Sequence, residues 1–434
     1  MNPPCRKIPL LAGFAILFAS AAVAQPTYTR DVARIIQTKC QQCHHPNDVA
    51  PFSLITYDDA VTYSDDIKQA LTLKVMPPWK PVPGFGDFKD SYGMSDSERQ
   101  TVLDWIDGGM LAGDPGDAPD PLPVNDSPWQ LGTPDLLLQM PEFTPPPRAP
   151  DTYRCFTLPT GLDDLKYINA AEALPGSRQE VHHILLFLDE NGDSAKLDGQ
   201  DGQPGYDCFG GPGIDVASFT TVIGGILGAW VPGARIRRLD DGIGVLMPGK
   251  SRVIVQVHYH PGGNSAPDRT QVGFYYAPTE SIQHRLVNIP LVNTSFKIPP
   301  GASNYEVDAA FTVPFFATGK AINIAPHMHL LGRRIGVDII DSDGTVRPMI
   351  KIDDWDFNWQ GFYTFTDPMQ LKSGSTVRLT AIYDNSDGNP KNPNNPLKTV
   401  GWGEGTNDEM ALAFIGVILD NEGLAGLLAD RHAR

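Results

Sequence analysis

Residues 181–188 read VHHILLFL, two adjacent histidines at the start of a short apolar run. Similar runs recur from residue 151 onward, between turns rich in Gly, Pro, Asn and Asp; they include Arg252–His258, Ala321–Ile324 and Ala411–Leu419. Strand-length runs bounded by turn residues, with no strong amphipathic helix between them, are typical of antiparallel sandwiches or barrels. This region is longer than one sandwich usually needs, so we predict two, at 151–285 and 286–434.

Histidines cluster within this β-rich region. Six of the ten form three close pairs: His182 with His183, His258 with His260, and His327 with His329. In a strand, side chains two positions apart project from one face, so each spaced pair can chelate a single metal ion. Neutral imidazoles suit copper, zinc and iron alike, whereas an added thioether would favour copper, especially Cu(I). The clustering therefore predicts metal sites.

A haem-attachment signature, CQQCH at residues 40–44, lies well ahead of the β-rich region. Cys40 and Cys43 have the spacing that forms thioether links to the two haem vinyl groups, and His44 is placed to ligate the iron. The sixth ligand is predicted to be Met76, which lies beside stiffening prolines, with Met94 as its rival. The motif predicts haem c and a role in redox chemistry.

The haem motif falls in a region, residues 25–113, that is predicted to be helical. An apolar helical face precedes the motif, and Ser95 with Glu98 forms a capping-box pattern ahead of a stop at Gly108-Gly109. This order of helices, haem motif and methionine resembles a class I-like cytochrome c. Residues 114–150 are rich in proline and are predicted to be an extended linker.

Residues 1–24 have the pattern of a secretory signal peptide. Arg6 and Lys7 precede an apolar run, and the small residues Ala22-Val23-Ala24 precede the expected cleavage point. A periplasmic or secreted location follows. Loss of the two cations takes the formal charge from −17 to −19, which argues against nucleic acid as a partner. No later segment resembles a membrane span.

Cysteine usage agrees with an oxidising compartment. Cys5 would leave with the signal peptide, and Cys40 and Cys43 are assigned to haem. Cys155 and Cys208 remain as one pair, so we predict a disulfide between them.

The β-rich region resembles the copper type II, ascorbate-dependent monooxygenases, whose best-known members are the peptidylglycine α-hydroxylating and dopamine β-monooxygenases. The similar segments occur in the same order: DTYRC (151–155), VHHILLF (181–187), GAW (228–230), Leu246–Gly249, VQVHY (255–259), HMHLLG (327–332) and DEM (408–410). The resemblance implies two jelly-roll-like sandwiches that face each other across a cleft. The predicted fold is therefore multidomain, a small all-α cytochrome c domain followed by two all-β jelly-roll-like sandwich domains.

The resemblance also implies two copper ions with different ligands. The electron-transfer copper would be bound by His182, His183 and His258, and the oxygen-binding copper by His327, His329 and Met410. Three protein ligands leave an open position for O2, and a soft methionine favours Cu(I). His260 has no counterpart in this pattern, and it is either an alternative ligand or a partner of one.

Substrate residues differ from those of the peptide-hydroxylating members. Ala325, Leu412 and Phe414 stand where those enzymes hold a peptide carboxylate with an arginine, an asparagine and a tyrosine. Losing a cation and two hydrogen-bonding groups predicts a less polar substrate. Nearby, Trp355 and Trp359 fit either a cleft lining or the sandwich core.

These patterns lead to one expected function and two alternatives. We expect a copper monooxygenase that hydroxylates a C–H bond of a small molecule with O2. The fused haem would supply electrons, and ascorbate or a redox protein would be the donor. The alternatives are a non-oxygenase electron-transfer or copper-binding protein, and zinc sites within a binding module.

Overall fold

The computed structural model describes residues 25–46, 48–123, 127–147, 151–214, 225–233, 235–260 and 265–421. The predicted signal peptide, part of the proline-rich segment and residues 422–434 lie outside the described residues.

A group of short helices with its own hydrophobic core occupies residues 28–107. A π-helix at Tyr28–Val32 is followed by α1 (Ala33–Lys39), α2 (Tyr57–Thr62), α3 (Ser64–Thr72) and α4 (Asp96–Asp107). The predicted capping box is present, because Ser95 and Glu98 each accept a hydrogen bond from the other's backbone N–H. α4 stops at Gly108, as predicted. Val32, Ile36, Val102 and Trp105 are fully buried at the centre.

The first sandwich consists of two five-stranded sheets. One sheet has the order β1-β9-β3-β7-β10, with β1 at Leu136–Gln139, β3 at Lys166–Leu174, β7 at Ile243–Met247, β9 at Gln271–Ala277 and β10 at His284–Arg285. The other has the order β5-β2-β8-β4-β6, with β2 at Thr152–Pro159, β4 at Val181–Asp189, β5 at Tyr206–Asp207, β6 at Ile226–Trp230 and β8 at Arg252–Tyr259. Because β1 pairs with β9, the proline-rich range 114–150 contributes an edge strand and is not linker throughout.

The second sandwich consists of two four-stranded sheets and a short two-stranded pair. The first sheet has the order β11-β20-β14-β17, with β11 at Val287–Asn293, β14 at Gly319–His327, β17 at Tyr363–Leu371 and β20 at Ala411–Leu419. The second has the order β13-β18-β15-β16, with β13 at Tyr305–Thr312, β15 at Gly332–Ile340, β16 at Val346–Ile352 and β18 at Thr376–Tyr383. The pair is β12 (Lys297–Ile298) with β19 (Val400–Gly401).

A disulfide joins Cys155 to Cys208, which confirms the predicted pairing. It connects β2 to the segment after β5 across a sequence separation of 53 residues. In the chain-entropy account, closing a loop of that length stabilises the fold by roughly 4 kcal/mol.

The segment between α3 and α4 packs on the second sandwich. Phe88 is buried within that sandwich's core and forms an isolated β-bridge with Phe365. The Trp79 ring lies edge-on to Tyr363, with ring centroids 5.4 Å apart. Lys80 pairs with Asp354. The helical region is therefore anchored to the β-rich region by buried apolar contacts as well as by chain connectivity.

Among the described helices, none combines the length and apolar character that crossing a bilayer requires.

Candidate metal centres

Alternation along the strands sets which side chains meet at the cleft between the sandwiches. On β4, Ile184, Leu186 and Leu188 are buried in the first core. The intervening His183, Leu185 and Phe187 line a cavity between the two sandwiches. The period-two pattern of this strand therefore divides its side chains between the core and a functional face.

His182, His183 and His258 converge on one point. The Nδ1 atoms of His182 and His183 are 3.1 Å apart, and those of His183 and His258 are 3.3 Å apart. β4 and β8 pair with His183 opposite His258, and the register shifts between Val181 and His183. Adjacent strand residues ordinarily point to opposite faces, and this irregularity lets two neighbouring histidines turn toward one centre. We call these three residues the first cluster.

Asp151 holds the outer nitrogen of His258 in the first cluster. Its Oδ1 lies 3.1 Å from His258 Nε2 and accepts from His260 Nδ1 at 2.9 Å, and its Oδ2 accepts from the Thr406 N–H at 2.9 Å. Burial alone would raise the pKa of Asp151, but these hydrogen bonds hold it well below its usual range. The His260 side chain is 62% exposed. Of the two roles predicted for His260, its contacts match the partner of a ligand.

His327 and His329 approach each other at the end of β14, with their Nε2 atoms 3.1 Å apart. His329 Nδ1 donates to the Asp408 carbonyl oxygen at 3.1 Å. His327 Nδ1 contacts Gln360 Oε1, whose amide nitrogen donates to Phe357. Both Nδ1 atoms therefore carry the proton, which leaves both Nε2 lone pairs free to bind a metal. Met410 lines the same cavity; we call His327, His329 and Met410 the second cluster.

Glu409 fixes the backbone around the second cluster. Its fully buried carboxyl accepts from the backbone N–H groups of His329 at 2.9 Å, Leu331 at 2.6 Å and Met410 at 3.2 Å. Burial raises the pKa of Glu409 to about 8 against the effect of these donors. The Tyr383 hydroxyl also donates to the Met410 carbonyl oxygen at 2.7 Å. These bonds hold the histidine segment and the methionine segment together, although they are 80 residues apart in sequence.

One aromatic ring contacts both clusters. The Phe357 ring stacks on His182 with centroids 4.7 Å apart, and it lies 5.5 Å from the His329 ring. Trp355, two residues earlier, is buried and donates from Nε1 to the His329 carbonyl oxygen. Of its two predicted roles, Trp355 therefore belongs to the core, whereas Phe357 is the side chain that contacts a histidine of each cluster.

The histidines of both clusters fit a metal ion in protonation state and in spacing. Burial lowers the pKa of His182 and of His329 to about 3 and that of His327 to about 4, and it lowers the pKa of His183 well below its usual value. These imidazoles are therefore neutral near pH 7, as ligation requires. Two nitrogens that share a tetrahedral metal at about 2.0–2.1 Å lie roughly 3.3 Å apart, close to the separations in each cluster.

The haem motif lies at the end of α1. Cys40 and Cys43 are free thiols, and His44 Nδ1 donates to the Phe52 carbonyl oxygen at 3.1 Å, which leaves its Nε2 available. Cys40 and Met94 both pack against the helical core. Met76 lies outside that cluster, and its carbonyl oxygen accepts from Arg99. Cys40, Cys43 and His44 offer the donors that haem c would require, and Met94 and Met76 both stay predicted candidates for the second axial ligand.

Several residues that support these centres were not predicted from the sequence. Asp151 opens the DTYRC segment, Glu409 is in the methionine segment, and Phe357 and Gln360 lie close to the tryptophans, but their roles depend on contacts with distant strands. The spacing of the histidines carries no information about them.

Comparison with known families bears on the second sandwich. Residues 287–417 match the copper type II ascorbate-dependent monooxygenase, C-terminal domain. The match contains His327, His329 and Met410. It extends from the start of β11 to within β20, and so covers the sheet that carries the second cluster.

A human DBH-like monooxygenase protein is 24% identical to this chain over 293 residues, which is 62% of this chain and 54% of the human protein. The chain thus matches about half of that relative's length. Among solved structures, the infectious bursal disease virus Gx strain is 10% identical, with 67% of this chain and 74% of that chain covered and a TM-score of 0.21. The VP2 subviral particle of infectious bursal disease virus is 9% identical, with 66% of this chain and 72% of that chain covered and a TM-score of 0.17. Scores of this size support no conclusion.

Proposed function

We propose that this protein is a copper-dependent monooxygenase that inserts one oxygen atom of O2 into a C–H bond of a small molecule. The observation that carries the proposal is the convergence of His327 and His329 through unprotonated Nε2 atoms. These atoms share a cavity with Met410, within the residues that match the family model. Bound copper would supply one-electron chemistry toward O2.

The second cluster is assigned to oxygen binding. Two imidazoles and one thioether leave a coordination position open, and the thioether favours Cu(I). Gln360 and Asp408 hold the two rings in the required tautomer. The apolar cavity beside the cluster would exclude bulk water from the reacting atoms.

The first cluster is assigned to electron transfer. Its three imidazoles include no soft ligand, and Asp151 stabilises His258 as a ligand through its outer nitrogen. The Phe357 ring lies between His182 and His329. That arrangement keeps the clusters close while each retains its own ligands.

The helical region is proposed to be a cytochrome c domain that delivers electrons singly. Cys40 and Cys43 would hold haem c, and His44 would be the proximal ligand, with Met94 or Met76 on the other side. Cys43 and Trp230 line one cavity of about 480 Å³ between the helices and the first sandwich. Trp230 is opposite Ile184, the neighbour of His183, in the β4–β6 pairing. The motif therefore shares a cavity with β6, the neighbour of the strand that carries His182 and His183.

The electron donor is proposed from the family whose C-terminal domain matches residues 287–417, and the compartment from sequence features and the disulfide. Ascorbate or a redox protein is the proposed donor. A signal-peptide pattern and a disulfide both agree with a periplasmic or secreted protein.

Copper stoichiometry with CO binding tests the proposal. Haem-loaded protein reconstituted with copper should bind two coppers per chain, and its Cu(I) form should bind CO at one of them. Met410→Ala should abolish CO binding and O2 consumption without changing the haem spectrum. Met369→Ala, a partly buried methionine on β17, is the matched control and should retain both.

Three results would favour the alternatives. Tight copper with no CO binding indicates an electron-transfer or copper-binding protein. Zinc in place of copper indicates a binding module. Oxygen consumption that survives Met410→Ala would show that the oxygen site is assigned wrongly.

A further inference from the structure

A cavity of about 350 Å³ lies between the sandwiches, directly beside the second cluster. This volume is at the small end of the range for ligand pockets, about 300–1,000 Å³. β4 and β6 form one wall, and β11, β14 and β20 form the other. Its shape and chemistry follow from the register of those strands.

Strand register places apolar side chains in two rows on the wall from the second sandwich. Val292, Leu412 and His327 are neighbours across β11, β20 and β14. The next row along the same face contains Pro290, Phe414 and Ala325. All six residues line the cavity. The first row ends at a candidate copper ligand, so a molecule held by the second row would present its near end to the metal.

The opposite wall repeats this arrangement on the first sandwich. His183, Leu185 and Phe187 alternate along β4, and Ile226 and Ala229 of β6 continue the surface. The two walls thus contribute histidines at one end of the cavity and aliphatic or aromatic groups along the rest of it.

Charged groups are scarce in the cavity lining. Among the described residues that line it, none is Lys or Arg, and Glu404 is the acidic one. Glu404 Oε2 accepts from the Gly210 N–H at 2.8 Å, and its carbonyl oxygen accepts from the Tyr153 hydroxyl at 2.7 Å. A buried ion without a paired charge is strongly disfavoured, so an anionic substrate would gain nothing from these walls.

A second cavity of about 170 Å³ adjoins the first through Leu185, Ala325 and Phe414. Its far side carries arginines that already have partners. Arg237 pairs with Asp90. Arg238 donates to Asn169 and lies over the Tyr275 ring at 4.6 Å. A third arginine of this lining, Arg235, lies over the Tyr92 ring, 5.6 Å from its centroid. The extension therefore adds length to the cavity, and each of its three arginines is held against another group of the protein.

We infer that the substrate is an uncharged, mainly apolar molecule that lies along the Ala325–Phe414 row with its reacting C–H bond toward His327. This inference rests on the proposed function. In the overall reaction, one C–H bond and the O–O bond break, and one oxygen atom enters the product as a hydroxyl group. The second oxygen leaves as water, using two electrons from the donor and two protons.

Three probes of matched size test the charge preference: butylbenzene, 3-phenylpropanoate and 3-phenylpropylammonium. Their dissociation constants are measured by titration calorimetry on copper-free protein at neutral pH. Butylbenzene should bind at least about tenfold more tightly than either ion. Equal or tighter binding of 3-phenylpropanoate would overturn the inference. Equal or tighter binding of the ammonium ion would also overturn it, and Glu404→Gln would show whether that carboxyl is responsible.

A pair of variants at one position ties the preference to this cavity. Ala325→Arg should weaken butylbenzene binding and strengthen 3-phenylpropanoate binding, which reverses their order. Ala325→Met, of similar length but uncharged, should alter butylbenzene binding without favouring the anion. If folded Ala325→Arg protein binds all three probes as the unmodified protein does, the probes occupy another site and the inference fails.

The probe titrations and the copper measurements test the substrate class and the monooxygenase assignment separately, so either can be contradicted without the other. The probe ranking is obtained without metal, so it does not depend on oxygen chemistry. Protein that ranks the probes as expected but binds no copper retains the apolar site and loses the monooxygenase assignment. Protein that binds two coppers and consumes O2 but prefers an ion retains the monooxygenase assignment and loses the substrate class.

Discussion

The two histidine clusters offer the same ring as a candidate ligand but differ in the group that lies beside the outer nitrogen of that ring. In the first cluster, a carboxylate oxygen of Asp151 lies 3.1 Å from His258 Nε2. In the second, neutral oxygens of Gln360 and Asp408 accept from His327 and His329. A carboxylate partner makes an imidazole a stronger donor than an amide does. The first cluster is thus suited to hold its metal through electron exchange, and the second to keep an open, softer site.

The largest expected effect is on the number of coppers bound, and it separates a metal ligand of the first cluster from a residue that only supports a ligand. His258→Ala should reduce copper from two per chain to about one. Removing a ligand should lower the copper affinity by more than the roughly 10–100-fold seen when the hydrogen-bond partner of a ligand is removed. His260→Ala should retain two coppers, because that side chain is largely exposed and contacts Asp151. Metal analysis after dialysis measures both. Loss of one copper in His260→Ala instead would make His260 a ligand.

A buried carboxyl should matter to the second cluster alone. Glu409→Leu leaves the N–H groups of His329, Leu331 and Met410 without their acceptor, so we expect a loss of about 3 kcal/mol or more in the free energy of unfolding. Glu409→Gln retains one acceptor oxygen and should cost about 1 kcal/mol. Urea titration measures the change. Copper bound by the first cluster should persist in both variants, and its loss would contradict the independence of the clusters.

Replacing the group beside the outer nitrogen in each cluster tests whether the charge of that group sets the copper affinity. Asp151→Asn should weaken copper at the first cluster by about 10–100-fold and leave the second unchanged. Gln360→Ala should have the converse effect and a smaller one, because a neutral acceptor contributes less than a charged one. Competition with a Cu(I) chelator measures both affinities. Equal losses in the two variants would show that the charge of Asp151 has no special role.

The smallest effect on copper binding is expected from substitution of Phe357, whose ring contacts both clusters. Phe357→Leu should retain both coppers with little change in affinity and lower the free energy of unfolding by about 1 kcal/mol, since two ring contacts are lost. Phe365→Leu, a buried phenylalanine that stacks on Phe88, is the control for the packing loss. A copper lost from one cluster alone would show that the ring supports that cluster only.

The strands and the spaced histidines could be predicted because their signal is local. A period of two fixes which side chains share a face of a strand, and the sequence alone therefore predicts that His327 lies beside His329. The capping box at the start of α4 is equally local, since it depends on residues three apart. The disulfide followed from the number of cysteines left once the haem motif was assigned.

The remainder depends on contacts between distant segments. Adjacent His182 and His183 converge because of a register shift between β4 and β8, which a single strand's sequence does not encode. Glu409 is a charged residue type in a fully buried position, which residue type alone argues against. The strand β1 forms inside proline-rich sequence because β9 provides a partner edge. In each of these cases, contacts between segments far apart in the sequence determine the structure.

Phe88 links the two halves of the chain in a thermodynamic sense. Its ring is part of the second sandwich's core, yet its segment belongs to the connection between α3 and α4. The helical region cannot separate from the β-rich region without exposing that ring to water, so the two should unfold as one cooperative unit. The proline-rich segment then connects two regions that already pack against each other. Cleavage within residues 114–123 should therefore yield two fragments that stay associated.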